Sequence, residues 1–80
     1  MKLVSVQDTK AQAFLNPAVA RTTAEGLRLF ESQCKNKESM FALHPADFIL
    51  FEIGEWNELN GEITPYDKPR AIATASDFVQ

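Results

Sequence analysis

Four glutamates in the C-terminal half, Glu52, Glu55, Glu58 and Glu62, are the side chains whose type and spacing best suit acid and base chemistry. Paired carboxylates act as general acid and base when their surroundings separate their pKa values. Glu52 and Glu55 stand three positions apart in a run with strand character, so regular alternation places them on opposite faces of a sheet. We therefore expect no catalytic residue and no enzyme, and interpret the glutamates as charges on a strand end and a solvated hairpin.

The one histidine and the one cysteine do not combine into a metal or redox site. His44 has no carboxylate pair at a diagnostic metal-ligand spacing beside it, and we interpret it as a turn residue. Cys34 alone cannot form an internal disulfide, which suits a reducing cytoplasm, and we expect it to face the core. The three glycines, Gly26, Gly54 and Gly61, form no phosphate-binding loop. The sequence predicts no cofactor and no metal.

Basic residues are concentrated in the first half of the chain. Up to residue 45, six basic side chains accompany four acidic ones, whereas from residue 46 onward two basic side chains accompany seven acidic ones. The net charge of −3 opposes tight nonspecific binding of phosphate, although a local basic patch is compatible with it. The candidate nucleic-acid contacts are Lys2, Lys10, Arg21, Arg28, Lys35 and Lys37. Phe14, Phe41 and Trp56 offer faces on which bases could stack, but scattered surface lysines and core aromatics explain the same residues.

Two strands are predicted near the N-terminus. Residues 2–7 alternate, with Val4 and Val6 on one side, as in a half-buried strand. After a polar break, residues 11–16 alternate again, which is consistent with a second strand that pairs back onto the first. A helix over residues 9–15 is the alternative, although Pro17 disfavours helical geometry at the residue before it.

The clearest helical pattern covers residues 23–35. Thr22 or Thr23 can cap this helix, and Glu25 adds a negative charge to its first turn. Its apolar stripe consists of Ala24, Leu27, Phe30 and Cys34. A polar loop follows at residues 35–39.

A second pair of strands is predicted in the C-terminal half. Residues 48–53 are apolar on both faces, as expected of a strand in the centre of a sheet or at an edge that meets another subunit. Residues 57–61 form a polar hairpin loop whose glycine supplies a positive φ, and residues 62–64 return along the sheet. Residues 66–80 are expected to be extended or frayed: residues 66–70, after Pro65, cannot be regular, and residues 71–78 are either an extended tail or a frayed helix.

The order strand, strand, helix, strand, strand predicts an α+β fold, with one helix packed on one face of an antiparallel sheet of about four strands. Eighty residues make a single domain, residues 1–80. The other face of such a sheet needs a cover, which a second copy of the chain would supply. Phe48, Leu50 and Trp56 are the candidates for this dimer or stacking surface, and we expect a homodimer.

Export and membrane signals are not evident in the sequence. Residues 1–8 lack the apolar region of a signal peptide. No stretch reaches the roughly 18 to 20 apolar residues that a membrane helix needs. We therefore expect a protein that is neither exported by that route nor anchored in a membrane.

Several segments of the sequence resemble the corresponding segments of a known protein family. The matching segments are residues 2–11, 14–17, 26–30, 44–56, 61–65, 69–70 and 77–78. The most specific segment is His44-Pro45-Ala46-Asp47, followed by the Leu-Phe-Glu-Ile-Gly-Glu run of residues 50–55. A turn and a strand of this kind do not require these particular residues. Over nearly its whole length the chain resembles the small nonstructural protein of gokushoviruses, the Microviridae subgroup of tailless single-stranded DNA phages, often labelled a DNA-binding protein.

The resemblance implies a nonstructural protein in the cytoplasm of the infected bacterial host, outside the capsid, that acts in viral single-stranded DNA replication or packaging control. It supplies no catalytic residue. Two modes of action follow. In the first, the protein contacts single-stranded DNA through its basic N-terminal half. In the second, a protein-interaction module engages a phage or host replication protein through its acidic C-terminal half, without DNA contact.

Overall fold

The computed structural model describes residues 1–79 as an open antiparallel sheet with one long helix packed on it. Its helices and strands are β1 (Lys2–Asp8), β2 (Ala13–Phe14), β3 (Ala18–Ala20), α1 (Thr23–Cys34), α2 (Met40–Leu43), β4 (Phe48–Trp56) and β5 (Ile63–Thr74). Short 3₁₀ turns cover Pro45–Asp47 and Ala75–Asp77. The strand order is β2-β1-β4-β5, and β3 also pairs with β1. This architecture confirms the predicted α+β class.

Helix α1 begins where the sequence predicts. The Thr22 side chain accepts a hydrogen bond from the Glu25 backbone N–H (3.0 Å), and the Glu25 carboxylate accepts one from the Arg21 N–H (3.1 Å). These bonds satisfy amide groups at the helix start. Gly26 faces β1, and a Cβ placed on it would lie 3.3 Å from Val4 Cγ1. The missing side chain lets the helix pack close to the sheet.

The core lies between α1 and the sheet. Its buried residues are Val4, Phe30, Cys34, Phe41, Phe48, Leu50 and Ala75. The ring centroid of Phe41 lies 5.4 Å from that of Phe30 and 4.9 Å from that of Phe48, distances typical of favourable aromatic pairs. Phe48 and Leu50 are each 3% exposed, because the alternation of β4 turns them toward the helix. They therefore do not form the uncovered surface that the sequence predicts for them.

The opposite face of the sheet is more exposed. Ile49 and Phe51 of β4 are partly buried there, and Phe14 packs against Phe51 with 5.4 Å between ring centroids. Trp56, at the end of β4, is also partly exposed. On β4, the apolar side chains of this face are those of Ile49 and Phe51, which alternate with Phe48 along the strand. The homodimer stays a prediction.

The segment between β1 and α1 is less regular than the predicted strand. Only Ala13–Phe14 pairs with the end of β1, and the Leu15 backbone N–H then donates to the Val6 carbonyl (2.8 Å). The Ser5 hydroxyl donates to the Leu15 carbonyl (2.7 Å), which holds this stretch against the sheet. The chain then pairs with β1 a second time through Ala18–Ala20. The segment therefore follows one edge of β1, and the alternative helix does not form.

A bulge in β4 changes which glutamates share a face. Glu52 and Gly54 pair with consecutive residues of β1, so Ile53 is an extra residue on β4. Beyond the bulge, Glu55 pairs with Lys2 and forms an ion pair of 3.7 Å with it. An extra residue shifts the alternation by one, so Glu52 and Glu55 point to the same face. The expectation that they lie on opposite faces is wrong for this reason.

The C-terminal segment is extended up to the end of β5, which covers Ile63–Thr74. The expectation that residues 66–70 are irregular is wrong, because β5 is an edge strand, where a proline without a backbone N–H is tolerated. The register of β5 with β4 is interrupted at residues 66–69. This irregularity brings Tyr66 and Arg70 toward the same point of β4. Residue 80, the last one of the predicted domain and of the predicted tail, lies outside the described residues.

Candidate interaction surfaces

Glu52 is the centre of a buried polar network. The residue is 0% exposed although it is charged. The Thr23 hydroxyl donates to Glu52 Oε1 (2.5 Å), while the Tyr66 hydroxyl and Arg70 Nη2 donate to Oε2 (2.6 and 2.8 Å). Thr23 is the first residue of α1, and the other two donors come from β5. One carboxylate therefore ties the helix, the central strand and the edge strand together.

The surroundings of Glu52 keep it ionised. Burial acts to raise its pKa, but the hydrogen bonds from Thr23 and Tyr66 and the positive charges of Arg70 and Lys2 outweigh burial, so the pKa of Glu52 is lowered. The hydrogen bond to this carboxylate raises the pKa of Tyr66, with smaller contributions from burial and charge. At neutral pH the carboxylate is charged and the phenol keeps its proton, which is the arrangement that the hydrogen bond requires.

The network is suited to holding elements together. Both oxygens of Glu52 accept bonds from protein donors, and the side chain has no exposed surface on which a substrate could bind. Within residues 1–79, no group of three or more His, Cys, Asp or Glu side chains could hold a metal ion. Cys34 is buried, and its burial, with a smaller contribution from Glu31, raises the pKa of its thiol. His44 is exposed beside the 3₁₀ turn that follows it.

The six predicted nucleic-acid contacts do not all lie at one place. Lys2 lies at the start of β1 and Lys10 follows its end, so the strand separates them. Lys2 is paired with Glu55, and Lys35 is paired with Glu31 at 2.7 Å. The other exposed candidates are Arg21 before α1, Arg28 on α1 and Lys37 after α1. Their contact with DNA stays a prediction.

An apolar groove lies between α1 and the edge of the sheet, with a volume of about 200 Å³. On the strand side it is lined by Leu15 and Val19, which are 42% and 40% exposed. On the helix side it is lined by Leu29, which is 54% exposed. Phe30 and Phe41 form its floor, and both are buried. The groove is therefore bounded by the irregular segment after β1, by α1 and by the core aromatic residues.

The loop between β4 and β5 is held by its own polar residues. The Asn57 backbone N–H donates to the Glu62 carbonyl (2.8 Å), and the Gly61 N–H donates to the Asn57 carbonyl (2.7 Å). The Asn57 side chain accepts a bond from the Leu59 N–H (2.9 Å), and the Asn60 side chain accepts one from the Glu62 N–H (2.9 Å). Gly61 has φ of +79°, which confirms its predicted role. The loop therefore has a defined conformation.

This loop presents apolar side chains among negative charges. Leu59 is 94% exposed, and Ile63, which pairs with Trp56 across the hairpin, is 59% exposed. A shallow hollow at the base of the loop is lined by Trp56 and Leu59, together with Glu55 and Glu58. We call Trp56, Leu59 and Ile63, with the glutamates at positions 55, 58 and 62, the hairpin tip.

A family model described as Phage ORF5 protein matches residues 1–78 of the chain. The chain belongs to this family. No curated protein and no solved structure matches it. This phage ORF5 family member is thus a phage accessory protein with an α+β fold. Within the part of the chain that the structure describes, no helix is both long enough and apolar enough to cross a membrane.

Sequence reasoning about this phage ORF5 family member missed two features. It did not find the burial of Glu52, whose hydrogen-bond partners lie 14 to 29 positions away in the chain. It also did not single out Leu59, although a leucine in the middle of a polar loop was a visible signal. An apolar residue at the tip of a tight turn has no core to enter, so its position alone indicates exposure.

Proposed function

We propose that this phage accessory protein is non-enzymatic and acts in viral single-stranded DNA replication or packaging control by binding another protein. The resemblance to the gokushovirus nonstructural protein of the Microviridae supports the process. It also supports a place of action in the cytoplasm of the infected host, outside the capsid. The geometry supports the mode of action, because it favours protein contact over direct contact with DNA.

The distribution of charge is the first support for protein contact. Nonspecific binding to DNA depends on several cations that neutralise neighbouring phosphates. Here Lys2 and Lys35 are already paired with glutamates, and Lys10 lies at the other end of β1 from Lys2. The net charge of −3 adds a long-range repulsion of polyanions.

The single observation that carries the proposal is the exposure of apolar side chains at the hairpin tip. Leu59 is 94% exposed on a loop whose hydrogen bonds fix its shape, and Ile63, the first residue of β5, is 59% exposed beside it. Apolar side chains presented on a fixed loop are suited to protein partners, since they lose water on contact without an ordering cost for the loop.

A pull-down from infected cells tests the proposal. Tagged protein is incubated with lysate that has been treated with DNase and RNase, and bound proteins are identified by mass spectrometry, with the tag alone as the control. We expect the same phage or host replication protein to be captured with and without nuclease. Capture that disappears after nuclease treatment would instead indicate that DNA bridges the partners and would overturn the proposed mode of action.

The place of action has a separate test. Purified virions and the soluble lysate are compared by quantitative mass spectrometry. We expect to find the protein in the lysate. We do not expect virions to contain it in a fixed ratio to the capsid protein. A fixed number of copies per virion would show that it is a structural component.

A further inference from the structure

We infer that the hairpin tip is a docking surface for a basic polypeptide segment that carries an apolar side chain. This inference rests on the proposed function, because it names the surface and the chemistry of the protein partner. It is carried by the exposure of the apolar residues, by the charges around them and by the fixed shape of the loop.

The side chain of Leu59 has no role in holding the loop. Leu59 takes part in the loop through its backbone N–H, which donates to the Asn57 side chain. Its side chain is 94% exposed and adds nothing to the core. One exposed leucine is ordinary on a protein surface. Here, however, Trp56 lines the same hollow as Leu59, and Ile63 pairs with Trp56 on the adjacent strand. The apolar surface is therefore larger than one side chain.

The charges around this surface select the partner. Glu55, Glu58 and Glu62 are all exposed, and residues 55–63 contain no lysine or arginine. Two cations contact the base of the tip: the Lys2 ammonium lies 3.7 Å from Glu55, and the terminal amine of Met1 donates to the Trp56 carbonyl (3.1 Å). Three exposed carboxylates therefore accompany the apolar residues of the tip, against two cations in contact with its base. A partner with lysine or arginine beside an apolar anchor complements this pattern.

The same charges argue against two other occupants. A nucleic acid would bring phosphates toward three carboxylates, which costs electrostatic energy. A second copy of the chain that met this surface through a two-fold axis would place its own glutamates against Glu58 and Glu62. Like charges directly opposed in a contact are unfavourable. A basic polypeptide meets neither obstacle.

The fixed conformation of the loop favours binding. Four hydrogen bonds and the positive φ of Gly61 hold the loop before any partner arrives. A preorganised surface pays little conformational entropy on association, so a small contact area can still give measurable affinity.

The test uses a fluorescein-labelled synthetic peptide of alternating arginine and leucine residues, titrated with the full chain in an anisotropy assay at two salt concentrations. A peptide with glutamate in place of arginine is the charge control. We expect the basic peptide to bind at low salt, binding to weaken as salt increases, and the acidic peptide not to bind. Equal binding of both peptides, or no binding of the basic one at low salt, would overturn the inference.

Variants locate the contact. Leu59→Ser and Glu58→Gln should each weaken binding of the basic peptide, by about tenfold for the leucine because a buried leucine supplies most of the apolar contact. The matched controls are Leu43→Ser, which changes a leucine that is 59% exposed elsewhere, and Glu38→Gln, which changes an exposed glutamate elsewhere. We expect the controls to bind like the wild type. If the controls weaken binding as much as the tip variants do, the peptide binds without regard to the tip and the inference is wrong.

Failure of this inference can be told apart from failure of the proposed function. The pull-down is repeated with Leu59→Ser beside the wild-type protein. Loss of the captured partner from the variant alone supports the hairpin tip as its docking surface. Equal capture by both leaves protein binding in place but refutes this surface. The absence of any captured protein with the wild type refutes the proposed function itself.

Discussion

Replacement of the buried carboxylate by an amide, Glu52→Gln, is expected to destabilise the fold while keeping its shape. The carboxylate accepts bonds from three donors, whereas a glutamine amide offers one oxygen and one donor group. With its oxygen toward Tyr66 and Arg70, the glutamine turns its NH2 toward the Thr23 hydroxyl, which can accept instead of donate. What the variant loses is the charge: a hydrogen bond to a charged group contributes about 1.5–3 kcal/mol, whereas a neutral one contributes about 0.5–1.5 kcal/mol.

Solvent screening reduces the contribution of the ion pair between Glu52 and Arg70. The Arg70 side chain is 62% exposed, so its ion pair with Glu52 adds less than a fully buried pair would. We therefore expect Glu52→Gln to lower the free energy of unfolding by about 2–3 kcal/mol. A domain of this size has about 4–12 kcal/mol in total, so the variant should still fold. Its melting temperature should fall by about 10 °C or more.

Urea unfolding followed by the fluorescence of Trp56, the only tryptophan, measures the effect. The control is Glu55→Gln, on the same face, whose side chain is 56% exposed and whose ion pair with Lys2 is long at 3.7 Å. We expect that control to change the free energy of unfolding by less than about 0.5 kcal/mol. A Glu52→Gln variant as stable as the control would refute the role assigned to the network.

Three further outcomes follow from the same structure. The pKa of Glu52 is lowered in the folded state. The ionised carboxylate therefore stabilises the fold fully above the pKa of an unfolded glutamate, about 4.3, and this stabilisation is lost as pH falls through the folded pKa. The difference in urea midpoint between wild type and Glu52→Gln should therefore shrink below pH 4 or so, and a difference that grows in acid would contradict this. Gly54→Ala should cost about 2 kcal/mol in the same titration, because its Cβ would lie 2.6 Å from the Thr64 carbonyl oxygen; wild-type stability would show that the strands are farther apart. Cys34 should react with Ellman's reagent only in urea, since burial shields the thiol and raises its pKa, and rapid reaction of the folded protein would disprove its core position.

Local signals in the sequence were enough to predict the main elements. Thr22 and Glu25 mark the start of α1, and its apolar stripe agrees with the buried positions Phe30 and Cys34. Residues 48–53 are recognisable as a strand because they are apolar, and Gly61 marks the hairpin. These signals depend on residues that are close together in the chain.

The features that the sequence did not reveal depend on contacts between distant segments. The extra residue Ile53 becomes visible only when β4 is set in register with β1, and it reverses the expected faces of Glu52 and Glu55. The two-sided apolar character of β4 also left open which side the helix covers, so Phe48 was assigned to the wrong face. A glutamate in an apolar strand reads as a surface charge until its three donors from other elements are known.

The measurement that tests protein contact against DNA contact most directly is an anisotropy titration of labelled single-stranded DNA at low salt. The protein's mass is first determined by light scattering, which also tests the predicted homodimer. We expect no binding at protein concentrations at which the basic peptide binds. Salt-sensitive binding to DNA that Arg28→Ala and Lys35→Ala weaken equally across sequences would contradict the proposed mode of action and restore the basic half of the chain as the functional surface.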